Sequence, residues 1–299
     1  FNGASGLYEL DNRITQTGGS SFGFSTAMEG DLALVGAPLK DVDTTMERGA
    51  AYVYQFNGSS WVGGQQLLSN NIQTGPRFGH SVALAGGRAM VGAPLAEVFV
   101  LTDAGTVYVY EEDKGVWGQS QFLHPSDALA LDPIREFGFS IAMEGNRAVI
   151  GAPGDSESGT ESGSVFVFER DTKSGEWQEV YKLLPDDGEE GDRFGHAVGL
   201  SGDFVYVGAP FDDDVAQDAG AIYLFELNSG ARVAQQLEKY VADTVSGHDR
   251  FGEAISVDGI RVLVGASRDD DRGPNAGAAY AIEGLNSEPP ELNFQNGFE

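Results

Sequence analysis

Short apolar runs, broken by glycine, proline and aspartate, recur along the whole chain. One stretch shows the plan. Phe194 to Leu200 reads as a short strand, and Ser201-Gly202-Asp203 as a hairpin turn. Phe204 to Gly208 is a second strand, almost wholly apolar, as expected where both faces are buried. Pro210 ends it, because proline cannot donate to a ladder. An acidic loop from Phe211 to Ala219 follows, and Gly220 opens a third strand, Ala221 to Phe225. A turn at Asn228-Ser229-Gly230 leads into a fourth strand around Val233 to Leu237. No stretch shows the three-to-four-residue period of an amphipathic helix.

The same plan returns at a fixed interval. Phe-Gly occurs at Phe22, Phe78, Phe137, Phe194 and Phe251, 56 to 59 residues apart. Each is followed, 14 residues after the Phe, by Gly-Ala-Pro at Gly36, Gly92, Gly151 and Gly208, or by Gly265-Ala266-Ser267. Third strands are expected at Ala50–Tyr54, Thr106–Tyr110, Ser164–Phe168 and Ala278–Ile282. Fourth strands are expected near Gln65–Leu68, Gln121–Leu123 and Val180–Leu184, preceded by Trp61, Trp117 and Trp177. A fixed internal period marks an array of one supersecondary unit. Units of four antiparallel strands predict an all-β, five-bladed propeller. Residues 1–285 form the propeller in this reading and 286–299 a C-terminal tail. Phe1-Asn2-Gly3 matches Phe56-Asn57-Gly58. Leu7-Tyr8-Glu9-Leu10 is therefore expected to supply the last blade's fourth strand and close the ring, which removes a raw sheet edge.

These motifs resemble the FG-GAP repeat, the unit of the integrin alpha-chain propeller and of many bacterial extracellular proteins. The likeness runs over nearly the whole chain. It implies a secreted or cell-surface recognition module. The integrin propeller has seven blades, and five are expected here. Calcium-binding integrin repeats carry Asp-x-Asp-x-Asp-Gly-like ligands between strands one and two. Here those hairpins are short, such as Glu29-Gly30-Asp31 and Ala85-Gly86-Gly87, so that site does not carry over. The short form is similar to the bacterial variant, whose loop after Gly-Ala-Pro is often rich in aspartate.

Charge sharpens the picture. The formal net charge is -28, from 46 acidic against 18 basic residues. Such a chain repels nucleic-acid phosphate and anionic lipid and favours cations, basic partners or neutral polar ligands. No run of apolar residues is long enough to span a bilayer. There is no cysteine, hence neither a disulfide framework nor thiolate chemistry. The chain opens on Phe1, and a cleaved export signal is the expected reason.

The acid clusters in the loops between strands two and three, which antiparallel geometry puts on one face with the loops joining successive blades. The expected ligand face comprises Asp155, Glu157, Asp186, Asp187, Asp212, Asp213 and Asp269. The expected cofactor is weakly bound calcium, on Asp212, Asp213, Asp214 and Asp218 and on Asp269, Asp270 and Asp271, where carboxylates are densest. The plainer alternative is solvated turns, which aspartate favours. The residues after Phe-Gly are Phe24, His80, Phe139, His196 and Glu253. They are expected near one end of a central channel, where two His and one Glu could bind a transition metal. Gly-x-Ser-x-Gly, His-Glu-x-x-His and Walker patterns are missing. The expected function is therefore adhesion or recognition of an extracellular protein or glycan, without chemistry. The alternatives are a structural subunit that self-associates through its end segments, and a glycan-active enzyme with axial carboxylates.

Overall fold

The computed structural model describes residues 13–16, 20–70, 75–98, 101–127, 135–228, 232–242, 244 and 246–283. Nineteen strands and no helix are present among them. They form five antiparallel sheets in chain order. Blade one is β1 (Thr26–Glu29), β2 (Leu32–Ala37), β3 (Ala50–Phe56) and β4 (Trp61–Leu67). Blade two is β5 (Val82–Ala85), β6 (Arg88–Ala93), β7 (Thr106–Asp113) and β8 (Val116–Leu123). Blade three is β9 (Ser140–Glu144), β10 (Arg147–Ala152), β11 (Ser164–Arg170) and β12 (Trp177–Leu183). Blade four is β13 (Ala197–Ser201), β14 (Phe204–Ala209), β15 (Ala221–Asn228) and β16 (Val233–Tyr240). Blade five contributes β17 (Phe251–Asp258), β18 (Arg261–Ala266) and β19 (Ala278–Glu283). The expected closing strand, residues 7–10, and the tail from 286 lie outside the described residues.

The strand sequences explain their places. Second and third strands of blades two to four are apolar on both faces because each of these blades is sandwiched between neighbours. The core is accordingly a series of inter-blade layers. Leu34, Ala51 and Val53 of blade one pack on Val91, Tyr108 and Tyr110 of blade two. Met90, Val107 and Val109 pack on Ile150, Phe166 and Phe168. The same contact joins blade three to four and four to five. Phe78, Phe137, Phe194 and Phe251 are fully buried in these layers. Burying each such ring is worth roughly 1.5–3 kcal/mol. Phe78 lies edge-on to Tyr108 and Tyr110, and Phe194 likewise to Tyr223 and Phe225.

Phe-Gly was expected to begin the first strand, but in the first four blades the strand begins three or four residues later. The physical reason is the glycine, whose φ is near +90° at Gly23, Gly79, Gly138 and Gly195 and so breaks the ladder. The dipeptide instead clamps blade to blade. Phe78, Phe137 and Phe194 form parallel bridges to Gly49, Gly105 and Gly163, each just before the third strand of the preceding blade. The Gly of Gly-Ala-Pro completes the clamp. A Cβ on Gly36, Gly92, Gly151 or Gly208 would stand 1.9–2.1 Å from the carbonyl oxygen of Gly79, Gly138, Gly195 or Gly252 in the next blade. The two halves of the family signature are thus the two halves of one inter-blade contact. Ser25, Ser81 and Ser140 reinforce it by donating to the carbonyls of Gly79, Gly138 and Gly195.

Candidate functional site

The loops between strands two and three do share a face with the loops that lead into the next blade, and in blades three and four the two sets meet around a lysine. Each lysine lies next to the C-terminal end of a fourth strand, β12 or β16. Lys239 Nζ lies 2.8 Å from Asp187 Oδ2, 2.7 Å from Asp212 Oδ2 and 2.5 Å from Asp214 Oδ2. Asp212 is only 3% exposed, and Tyr223 Oη donates to its Oδ2 at 2.7 Å. The ammonium also stands 5.2 Å from the centre of the Tyr223 ring. Blade three repeats the arrangement. Lys182 Nζ is 3.0 Å from Asp127 Oδ2, 2.9 Å from Asp155 Oδ2 and 2.5 Å from Glu157 Oε2, and 5.2 Å from the Phe166 ring centre.

Electrostatics follow from this crowding. Burial alone lowers the Lys239 ammonium's proton affinity, but its three carboxylate partners outweigh burial and hold its pKa above the ordinary lysine range. Lys182 behaves the same way, with Glu157, Asp155 and Asp127 as the partners. Asp187 is held below the ordinary range, because Lys239 outweighs its partial burial. Burial, then the carboxylate of Asp212, raises the Tyr223 phenol and keeps it a hydrogen-bond donor. Asp192 has the opposite fate. It is buried, receives the Glu189 N–H at 2.7 Å, and is pushed up to about 6 by burial and by Asp212 and Asp213.

The remaining expected residues have identifiable places. Asp186 is exposed and has no ion pair among the described residues, and its backbone N–H donates to Gln236 Oε1 at 3.0 Å. Asp213 points to solvent. Asp218 pairs with His248 Nδ1 at 2.9 Å, away from the lysine. In blade five Asp269 is buried against the Tyr280 hydroxyl at 2.6 Å, while Asp270 receives Ser246 and Asp271 receives Thr244. No group of three or more His, Asp or Glu side chains among the described residues converges as a metal-ligand set. In blades three and four the position between the carboxylates is filled by an ammonium.

The lysines were not singled out from the sequence, although a signal exists. Among the described fourth strands only β12 and β16 contain lysine. Those are the blades whose Gly-Ala-Pro is followed, one residue on, by Asp155 or Asp212. Blade one has Lys40 and Gln66 at the two positions, and blade two has Ala96 and Phe122. In these four blades the acid and the lysine occur together.

The residues after Phe-Gly line up side by side instead of converging. Phe24 and His80 have ring centres 5.0 Å apart, His80 and Phe139 4.7 Å, and Phe139 and His196 4.8 Å. The Phe139 ring therefore separates the two histidines expected to share a metal. His80 is pushed down to about 4 by burial and by Arg77, and His196 is lowered by burial and Arg193, so both rings are neutral near pH 7. Glu253 is engaged by Ser267. Asn57-Gly58-Ser59 has the pattern of a glycosylation sequon, and Asn57 Oδ1 accepts from Ser59 N and Ser60 N in a tight turn.

With blades and clamps in place, the comparison with known families is decisive. The FG-GAP repeat model matches residues 16–54, 61–110, 117–168, 177–225 and 235–282. The chain belongs to the FG-GAP repeat family. Four of the five matched FG-GAP segments begin with or inside a fourth strand and end on the third strand of the next blade. The family unit thus spans a blade junction, where the Phe-Gly and Gly-Ala clamp acts. No curated protein matches the chain. Among solved structures, this FG-GAP protein is similar to a putative 6-phosphogluconolactonase from Bacteroides uniformis, with a TM-score of 0.58 and 13% identity. The likeness covers 91% of this chain and 70% of that one. At that identity it concerns the fold alone.

Proposed function

We infer that this FG-GAP propeller is an extracellular recognition module that binds a protein or glycan partner through its acidic loop face and carries out no chemistry. The observation that supports this is the pair of lysine-locked loops. A loop that must be ordered on binding loses affinity to conformational entropy, and a loop already fixed does not. Lys182 and Lys239 fix the loops of blades three and four through their buried carboxylates and leave Asp186, Asp213 and half-exposed Glu157 and Asp214 facing water. The result is a preorganised acidic surface on a rigid scaffold, suited to a basic or hydroxyl-rich ligand. Calcium, if it takes part, binds weakly and in competition with the lysines. The test is a glycan array and a panel of basic proteins probed with the wild-type chain and with a variant carrying Glu157→Gln, Asp186→Asn and Asp213→Asn. Ligands of this face should lose binding in the variant and in raised salt. Ligands that bind both forms equally at all salt concentrations would overturn the assignment of the face.

A further inference from the structure

The hairpin between β3 and β4 turns through Asn57-Gly58-Ser59-Ser60, and Asn57, Gly58 and Ser59 are exposed. Its shape is pinned on both sides. Asn57 N donates to Ser60 O at 3.0 Å, Phe56 N donates to Asp31 O at 2.8 Å, and the Phe56 and Trp61 rings lie 5.4 Å apart across the pair. Within this frame the donors gather on one atom. Asn57 Oδ1 accepts from Ser59 N at 3.0 Å, from Ser60 N at 2.9 Å and from Ser59 Oγ at 3.0 Å. The other two groups of interest are free. Among the described residues neither Asn57 Nδ2 nor the Gly58 N–H donates a hydrogen bond. Gly58 has a φ of +92°, and a Cβ there would meet nothing within 4 Å, so no side chain crowds the Asn57–Gly58 bond.

Blade three shows what such a turn does to an oxygen at this place. Asp171 follows β11 as Asn57 follows β3, and its Oδ1 accepts from Lys173 N at 2.7 Å and Ser174 N at 2.9 Å. Those two N–H groups, Ser174 first, hold the Asp171 carboxyl below the ordinary aspartate range. Backbone donors aimed at a carboxylate bind it more strongly than a neutral acceptor. The turn after a third strand is thus a cradle for a negative oxygen. In blade three the cradle holds a carboxylate, and in blade one it holds an amide.

We propose that Asn57 is a self-modifying site, where the folded turn promotes deamidation of its own asparagine. Gly58 N loses its proton to hydroxide and attacks Asn57 Cγ, closing a five-membered ring. As the N–Cγ bond forms, negative charge passes to Oδ1, and the three donors already aimed at that atom stabilise it as an oxyanion. The Cγ–Nδ2 bond then breaks, and Nδ2 takes a proton from water and leaves as ammonia. A water molecule opens the succinimide to aspartate or isoaspartate. The sum is one water consumed and one ammonia released, with no change of oxidation state. The aspartate product keeps the backbone donors that serve Asp171 in blade three. Each event adds one negative charge to the hairpin and destroys the sequon Asn57-Gly58-Ser59.

The test is incubation of the full chain at mildly alkaline pH, folded in buffer and unfolded in concentrated urea, followed by peptide mapping with fragmentation that locates the amide-to-acid mass change. The urea sample gives the rate of the Asn-Gly pair without the turn. Asn57 should convert faster in the folded chain than in urea. Ser59→Ala removes one of the three donors and should slow the folded rate about 2- to 10-fold, the rate equivalent of one ordinary hydrogen bond. The same change should leave the rate in urea untouched. Asn57→Asp, the product made directly, should melt at or above the wild-type temperature, because the cradle accepts a carboxylate. A folded chain that converts Asn57 no faster than the unfolded one overturns the proposal, since the turn would then protect the amide. A folded rate unmoved by Ser59→Ala, or an Asn57→Asp chain that melts lower, would likewise reject the oxyanion cradle.

Discussion

Replacing Lys239 with Met tests whether the acidic loops are held by their lysine. Methionine keeps most of the apolar stem and removes the ammonium. Three carboxylates then lose their counter-charge, but unequally. Asp187 and Asp214 are 39% and 43% exposed, so each loses only about 0–1 kcal/mol in screened solvent. Asp212 is 3% exposed and keeps only the Tyr223 hydroxyl and a long contact from Asp214 N. Leaving one charge of a buried pair uncompensated costs about 3–5 kcal/mol. Lys239 is itself partly exposed, which places the expected loss near the lower end, about 3 kcal/mol. For a chain of 299 residues that is a fall in melting temperature of roughly 5 °C. Differential scanning calorimetry at pH 7 reads it directly. Adding Asp212→Asn to Lys239→Met should recover part of the loss, with a coupling of about 1 kcal/mol or more in the double-mutant cycle. The deficit should also shrink as pH falls and the orphaned carboxylates protonate. A fall below about 2 °C, or simple additivity of the two changes, would refute the idea that the ammonium locks the loop.

Calcium supplies a second prediction from the same site: several millimolar calcium should raise the melting temperature of Lys239→Met more than that of the wild type, since the ammonium no longer competes for Asp187, Asp212 and Asp214, and equal shifts would argue against that competition. Asp192 gives a pH signature. Its folded value near 6 lies above the ordinary 3.8, so the stability it contributes is complete below about pH 4 and is lost as pH rises through about 6. Asp192→Asn should therefore melt higher than wild type at pH 7.5 and no differently at pH 4, as followed by circular dichroism; a gap that is constant with pH would reject the assignment. The clamp makes unequal predictions for one motif position. Gly151→Ala forces a Cβ to within 1.9 Å of the Gly195 carbonyl oxygen and should cost several degrees or prevent folding, whereas Gly265→Ala should cost far less, because the nearest atom is Ala254 Cβ at 3.3 Å and not a carbonyl oxygen.

Much of this architecture was legible in the chain because a repeat averages out local ambiguity. The apolar third strands Ala50–Phe56, Thr106–Asp113 and Ser164–Arg170 stand where their period placed them, merely longer at the outer end, where solvent-facing residues such as Glu112 and Asp113 carry no apolar signal. The first strands were misjudged at their starts, since Phe-Gly looks like strand in composition while its glycine needs a left-handed φ. The acidic face was legible as well. Its internal partners were not, because Lys239 lies 25 residues from Asp214 and 52 from Asp187 and nothing local links them.

The sequence by itself determined the unit, the number of units and the positions that must be glycine, since those depend on spacing and on backbone sterics that each repeat states anew. Only the tertiary structure decided what the loops' charges do. Whether a carboxylate is a ligand, a solvated turn or half of a buried ion pair depends on which side chain arrives from the neighbouring strand, and on how much water it displaces. Tertiary structure likewise decided that Gly36 and Gly265, equivalent in their motifs, have different surroundings, because a carbonyl of the following blade stands over Gly36 and, among the described residues, none stands over Gly265.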